Sequence, residues 1–220
     1  MKKINLVVVE DHPFTRQTLV YEFKKQEGIN LLASFDNGAD VVEFVKTQQV
    51  DVILMDIDMP KMNGIDATSE IKKFNNDILI VMLTNHNEKE KVLGAFKSGA
   101  NAYCVKQVKM DELMSVIEIV NDGGVWFDKQ IAKYVMDILK CVDVKEEETK
   151  AKTINDYDIT KRERNILKLI ADGYTNAQIA EELVIAHNTV KNHVASIIKK
   201  LNLDDRVQVA VFALKNNLLD

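Results

Sequence analysis

Cysteine is scarce: Cys104 and Cys141 are the only two, far apart and in no paired motif. This excludes a disulfide framework and a cysteine-rich zinc site, and it suits a reducing cytosol. With 2 Pro and 8 Gly in 220 residues, the chain is neither fibrous nor of low complexity. No apolar run approaches the roughly 18 residues of a membrane span. The first run, Ile4–Val9, stops at Glu10-Asp11 with no small-residue cleavage site, so it does not read as a signal peptide. A cytoplasmic protein with no membrane partner is expected. The formal net charge of −5 excludes a uniformly basic nucleic-acid binder. A chain that is 46% hydrophobic and 29% charged is globular, and its length suits two domains of ordinary size.

Short apolar runs at Ile4–Val9, Ile29–Phe35, 52–55, 79–83 and Ala102–Val105 read as fully buried strands, separated by stretches of helical period. Strands alternating with helices imply right-handed crossovers and a parallel sheet. The expected fold is α/β: a doubly wound five-stranded parallel sheet, then a small all-α domain. Gly123-Gly124 breaks the chain and Val125-Trp126-Phe127 forms an apolar plug. A helix is expected at 130–139, and the acidic stretch 142–157 is the best linker candidate. The expected division is 1–125, a linker with a helix at 126–155, and a helical domain at 156–220. Residues 1–128 carry 14 basic and 20 acidic groups, a balance of −6, whereas 156–220 carry 9 of each. A case for nucleic acid in the second domain rests on where its charges sit.

In a doubly wound sheet, ligands bind beyond the carboxyl ends of the strands. Glu10 and Asp11 follow the first strand there, and Asp56 ends the third. Clustered carboxylates repel unless a cation sits among them, and hard oxygen ligands with room for water and a phosphate suit Mg²⁺. Thr84 and Lys106 stand at two further strand ends. A hydroxyl and an ammonium beside such a cluster are the groups that bind phosphoryl oxygens.

With every one of these residues in order, residues 1–125 resemble the receiver domain of bacterial response regulators. The resemblance implies that Asp56 is the phosphoacceptor for a sensor histidine kinase. It implies that Glu10, Asp11 and Asp56 bind Mg²⁺ together with the backbone carbonyl of Asp58. Lys106 would pair with the phosphoryl group, Thr84 would move toward it, and Tyr103 would turn inward as Thr84 moves. Such a domain accepts a phosphoryl group and is not an enzyme beyond, at most, a weak autophosphatase activity. Three residues depart from the family pattern. Gln107 replaces the usual proline, which makes a cis bond after Lys106 costly, by about 2.5–4 kcal/mol. Asn85 stands where a small residue usually follows the threonine. Asp58 adds a carboxylate beside the site. His86, two residues past Thr84, reads as a solvated loop histidine.

Beyond residue 159 the pattern is helical. Thr160-Lys161-Arg162-Glu163 and Thr175-Asn176-Ala177-Gln178 are capping boxes that each open a helix. A third helix from about Asn188 shows an apolar stripe of Val190, Val194, Ile197, Ile198 and Leu201. Its other face carries Lys191, Asn192, Ala195 and Lys199, and no acid lies between His187 and Asn202. A short helix, a tight turn and a longer helix with a basic face make a helix-turn-helix, whose second helix enters the major groove. On pattern alone, a small dimerisation or docking module remains open. Residues 159–214 resemble the LuxR-type helix-turn-helix, carried by 159–163, 170–173, Asn176, Ile179-Ala180, Leu183, 189–194, Lys200-Leu201 and Arg206.

A receiver followed by this module resembles the NarL/FixJ class of transcription regulators. The implied partners are a sensor kinase, double-stranded promoter DNA and, in the active state, a second copy of the chain. Lys191 and Asn192 are the candidates for base edges. Thr175, Asn188, Thr189 and Lys199 are the candidates for phosphates. Ala186 stands where the family often has serine, so one cap or phosphate contact is missing. Part of a last helix at 206–217 closes the small core, and the resemblance implies that its exposed side dimerises on DNA. Two rival readings stay open. Asp56-Ile57-Asp58 also resembles the paired aspartates of haloacid-dehalogenase-type phosphatases, which have no use for Glu10-Asp11 or a helix-turn-helix. The departures at Asn85, Asp58 and Gln107 admit an atypical regulator that binds DNA without phosphorylation.

Overall fold

A computed structural model describes residues 3–84, 89–127, 157–203 and 205–215, in two compact units. The first runs β1 (Ile4–Val9), α1 (Pro13–Lys24), β2 (Ile29–Phe35), α2 (Gly38–Val45), β3 (Val52–Asp56), α3 (Gly64–Phe74), β4 (Leu79–Thr84), α4 (Lys89–Lys97), β5 (Ala102–Val105), α5 (Met110–Asn121) and β6 (Trp126–Phe127). Every pairing is parallel, in the order β2-β1-β3-β4-β5-β6. The five expected strands are present, and β3 and β4 each run one residue further, to Asp56 and Thr84. The apolar plug is a short sixth strand, with Trp126 opposite Ala102.

One expectation is corrected. Ile29–Phe35 is not a fully buried strand: only Ile29 is buried. β2 lies at the sheet edge, paired with β1 alone, so its faces are only partly covered. The core is formed by Leu6, Val8, Leu54, Val81 and Leu83 of the sheet with Phe23 of α1 and Leu113, Val116, Ile117 and Val120 of α5. Each such side chain contributes about 1.5–3 kcal/mol on burial.

The strand order reverses beside β1, so the chain leaves β1 and β3 at a topological switch point. Local sequence fixes the loops there. His12 caps α1 through its side chain, and Pro13 occupies the first turn, where its missing N–H is harmless. Gly64 opens α3 so close to β3 that a Cβ would stand 2.0 Å from the Asp56 carbonyl oxygen. Only glycine allows this approach.

The second unit holds α6 (Lys161–Ala171), α7 (Asn176–Glu182), α8 (His187–Leu201) and α9 (Arg206–Lys215). Both capping boxes form: Thr160 with Glu163, and Thr175 with Gln178. α8 has Ala186 at its N-cap and no side-chain cap bond. Ile166, Leu167, Ile170, Ile179, Val190, Val194, Ile197, Leu201, Val209 and Ala213 form the buried core, with Ile198 packed partly against it. The expected helix at 130–139 lies outside the described residues, as does the linker up to residue 156. Among the described residues, no helix is long and apolar enough to cross a membrane.

Candidate functional site

At the carboxyl ends of β1 and β3, one carboxylate oxygen from each of Glu10, Asp11 and Asp56 lies within 4.8 Å of the others. Glu10 and Asp56 are buried, and Asp11 is half-buried. Lys106, one residue beyond β5, reaches into this group. Its Nζ is 2.9 Å from Glu10 Oε1, 2.8 Å from Glu10 Oε2 and 3.0 Å from Asp56 Oδ2. Its backbone N–H donates to the Thr84 carbonyl at 2.8 Å, tying the ends of β4 and β5 together. Asp56 Oδ1 accepts from the backbone N–H of Ile57 at 2.8 Å. Thr84 is buried at its strand end, and Tyr103 is buried on β5 opposite Met82.

The electrostatics follow from burial. Desolvation pushes the Asp56 carboxyl up to about 6, although Lys106 pulls it down; the like charge of Glu10 adds to the rise. Burial favours the neutral form of Lys106, but Glu10 and Asp56 outweigh it and hold the ammonium charged. Both Glu10 oxygens face the Lys106 ammonium, Oε1 at 2.9 Å through a hydrogen bond and the buried Oε2 at 2.8 Å as an ion pair. Three carboxylates with one oxygen each within 4.8 Å of the others make a donor set of the hard-oxygen kind that suits Mg²⁺.

Two expected features of the site are resolved by the geometry. The carboxylate of Asp58 does not join the cluster. It bonds Lys91 Nζ of α4, at 3.0 Å through Oδ1 and 2.9 Å through Oδ2. Three acids already repel a fourth, and an ammonium on the next element draws it aside. The Lys106–Gln107 bond is trans, since no cis peptide occurs among the described residues. Asn85 and His86 lie outside the described residues.

Sequence reasoning missed Lys91 and Arg16. Arg16 Nη1 donates to the carbonyls of Glu10 at 2.6 Å and Asp11 at 3.2 Å. Nothing in the sequence flagged it except a place one turn into a helix that starts beside the acids.

In the second unit, Asn188, Lys191, Asn192, Ala195 and Lys199 of α8 are all exposed. Their offsets of 3, 4, 7 and 11 residues from Asn188 put them on one helix face. Thr189 and His193 are half-buried beside it. Thr175 is half-buried at the start of α7, its hydroxyl accepting from the Gln178 N–H at 3.4 Å. The face is held from behind. Glu163 of α6 is buried and accepts from Ser196 Oγ at 2.7 Å and Lys200 Nζ at 2.8 Å, both on α8. Arg206 is buried and donates to Asn176 Oδ1 at 2.7 Å and to the Tyr174 carbonyl, fixing α9 to α7. Burial lowers its pKa to about 10, still far above neutrality. In the turn between α7 and α8, Val184 adopts φ +52° and is 87% exposed.

Comparison with known proteins adds an independent line. Residues 6–118 match the response regulator receiver domain, and residues 158–213 match the bacterial regulatory proteins of the luxR family. The transcriptional regulatory protein DegU of Brevibacillus brevis is 32% identical, over 97% of this chain and 94% of its own. The transcriptional regulatory protein LiaR of Bacillus subtilis (strain 168) is 33% identical, over 99% of this chain and 100% of its own. Among solved structures, the RcsB response regulator of Salmonella typhimurium superposes with a TM-score of 0.57. It shares 17% identity over 98% of this chain and 100% of that one, a likeness of fold. The chain therefore belongs to the response regulators of two-component systems that join a receiver domain to a LuxR-type DNA-binding helix-turn-helix.

Proposed function

We propose that Asp56 accepts a phosphoryl group from a phosphohistidine of a sensor kinase and that this controls promoter binding by the second domain. The observation that carries the reading is Lys106, whose ammonium bridges Glu10 and Asp56 beside a third acid, Asp11. With its carboxyl near 6, Asp56 is mostly ionised at neutral pH, as a nucleophile must be. One of its oxygens attacks phosphorus as the bond from phosphorus to the imidazole nitrogen breaks, and the histidine leaves. Glu10, Asp11, Asp56 and the carbonyl of Asp58 would hold Mg²⁺, which when bound neutralises charge on the phosphoryl oxygens.

Lys106 then exchanges a carboxylate partner for a phosphoryl oxygen, and the Thr84 hydroxyl gains an acceptor. New partners in one state only are what a two-state switch requires. Tyr103, buried on β5, belongs to the same switch. The protein is a phosphoacceptor rather than an enzyme with turnover. In its reading arm, Lys191 and Asn192 contact base edges, and Thr175, Asn188, Thr189 and Lys199 contact phosphates. The receiver domain, expected at 1–125, extends through β6 to Phe127, and the DNA-binding domain is 156–220, with the linker between them. The protein works in the cytoplasm, as a homodimer when active, on double-stranded promoter DNA.

The test is DNA affinity for a promoter fragment, with and without Mg²⁺ and beryllofluoride, for wild type and Asp56→Ala. Tighter binding in wild type alone is expected. Binding that is tight and indifferent to both changes would overturn the switch and favour a regulator that acts without phosphorylation.

A further inference from the structure

We propose that Arg16 is a positioning residue for the divalent-cation site, acting through the main chain of Glu10 and Asp11. The inference rests on the reading above that the acidic cluster takes Mg²⁺. Arg16 lies in the second turn of α1, and its Nη1 reaches back over five and six residues to the carbonyls of Asp11 and Glu10, at 3.2 and 2.6 Å. The loop it grips is short, from Glu10 to His12, and is held elsewhere too. The Glu10 N–H donates to the Phe35 carbonyl at 3.0 Å, and the His12 N–H donates to Glu10 Oε1 at 3.2 Å. His12 then caps α1.

The His12 N–H bond to Glu10 Oε1 restrains the peptide plane of the Asp11 carbonyl, and Arg16 adds a second restraint there and one on the plane of the Glu10 carbonyl; rotation of either plane swings the attached Cα–Cβ bond. A guanidinium held by the first turns of α1 stops that rotation. It therefore sets where the Glu10 and Asp11 carboxylates point without touching them. Main-chain oxygens bonded to Arg16 are also kept from competing as ligands, so the carboxylate oxygens face the cation. Groups that orient ligands in this way typically change metal affinity by about 10- to 100-fold when removed.

Charge argues in the opposite direction. A guanidinium near three carboxylates opposes a divalent cation, so its removal would tighten binding if simple repulsion governed the site. The two effects differ in sign, and two variants separate them. Arg16→Lys keeps the charge but loses the planar guanidinium whose Nη1 donates to both carbonyls; Arg16→Met loses charge and donor alike.

The experiment is calorimetric titration of Mg²⁺ into the full chain at neutral pH, with the thermal midpoint of each variant as a check on folding. We expect the Kd for Mg²⁺ to rise about tenfold in Arg16→Met and severalfold in Arg16→Lys. Phosphorylation by acetyl phosphate should need correspondingly more Mg²⁺ for half-saturation. A Kd within about twofold of wild type in both folded variants, or a tighter one in Arg16→Met, would overturn the inference. Should Arg16→Met fail to fold, Arg16→Lys decides alone. Wild-type protein that takes up no Mg²⁺ would instead overturn the cation reading, and the role of Arg16 with it.

Discussion

Replacing Asp56, the proposed phosphoacceptor, should make the first domain more stable. Asp56 is buried, and its carboxyl stands at about 6 against an ordinary 3.8. The charged form is thus disfavoured in the native state by about 3 kcal/mol, at 1.36 kcal/mol per pH unit. Asn fills the same space without the charge. The attraction of Lys106 is already contained in that net shift; the cost of burying the Asn amide removes part of the gain. A net stabilisation of about 2 kcal/mol is expected for Asp56→Asn, or about 5–10 °C in the midpoint of a domain this size. Trp126 is the sole tryptophan and packs against the core of the first domain, so its fluorescence reports this unfolding directly. The measurement is a thermal melt of the full chain in a chelator at neutral pH. Because the native pKa is raised, protonation stabilises wild type. The gap between the two proteins should narrow as the pH falls through about 6 and close near 3.8. Mg²⁺ should narrow it too, by binding folded wild type. An equal or lower midpoint for Asp56→Asn at neutral pH would refute the reasoning, as would a gap that widens on acidification.

Two further predictions concern the second domain. Burial would raise the Glu163 carboxyl, but bonds from Lys200, Thr160 and Ser196 outweigh it and hold the pKa at about 2. Glu163→Gln should destabilise the domain by about 2 kcal/mol after screening at the partly exposed Lys200, and amide exchange in α8 should accelerate about thirtyfold. The stabilisation from Glu163 is fully present above about 4.5 and is lost as the pH falls toward 2, so unchanged exchange at neutral pH would contradict this account. Val184, β-branched at φ +52° and exposed, is strained with no packing to offset it. Val184→Asn should raise stability by about 1 kcal/mol, measured by urea denaturation followed by helical circular dichroism; a loss would show that the turn needs the isopropyl group.

Most of the architecture was legible because it rests on local signals. Strand ends at Glu10, Asp56, Thr84 and Lys106 could be read from apolar runs meeting polar residues, and Thr160 and Thr175 from capping boxes. The basic face of α8 could be read from helical period. What escaped depends on neighbours distant in sequence. Ile29–Phe35 carries Asn30 and Ser34 within its apolar run, but that its faces are only partly covered follows from the sheet order, which puts it at an edge. Trp126–Phe127 is too short to show strand period. Glu163 is legible as half of a capping box, but its bonds to Ser196 and Lys200 cross 33 and 37 residues. The carboxylate of Asp58 looked like a member of the cluster until Lys91, 33 residues on, proved to hold it. Arg16 acts on main-chain atoms, which carry no trace in side-chain chemistry.

The bond from Lys106 to Glu10 spans 96 residues. Its consequence lies in the order of events during synthesis. The earlier strands offer the carboxylates but not the ammonium, which leaves the ribosome only after β5. Closure of so long a loop comes late, since its entropy is lost before the contact rewards it. A nascent or truncated chain that ends before residue 106 therefore holds acids without their counter-charge. The charge-balanced site is thus assembled only after β5 has emerged, with α5 and β6 still to follow.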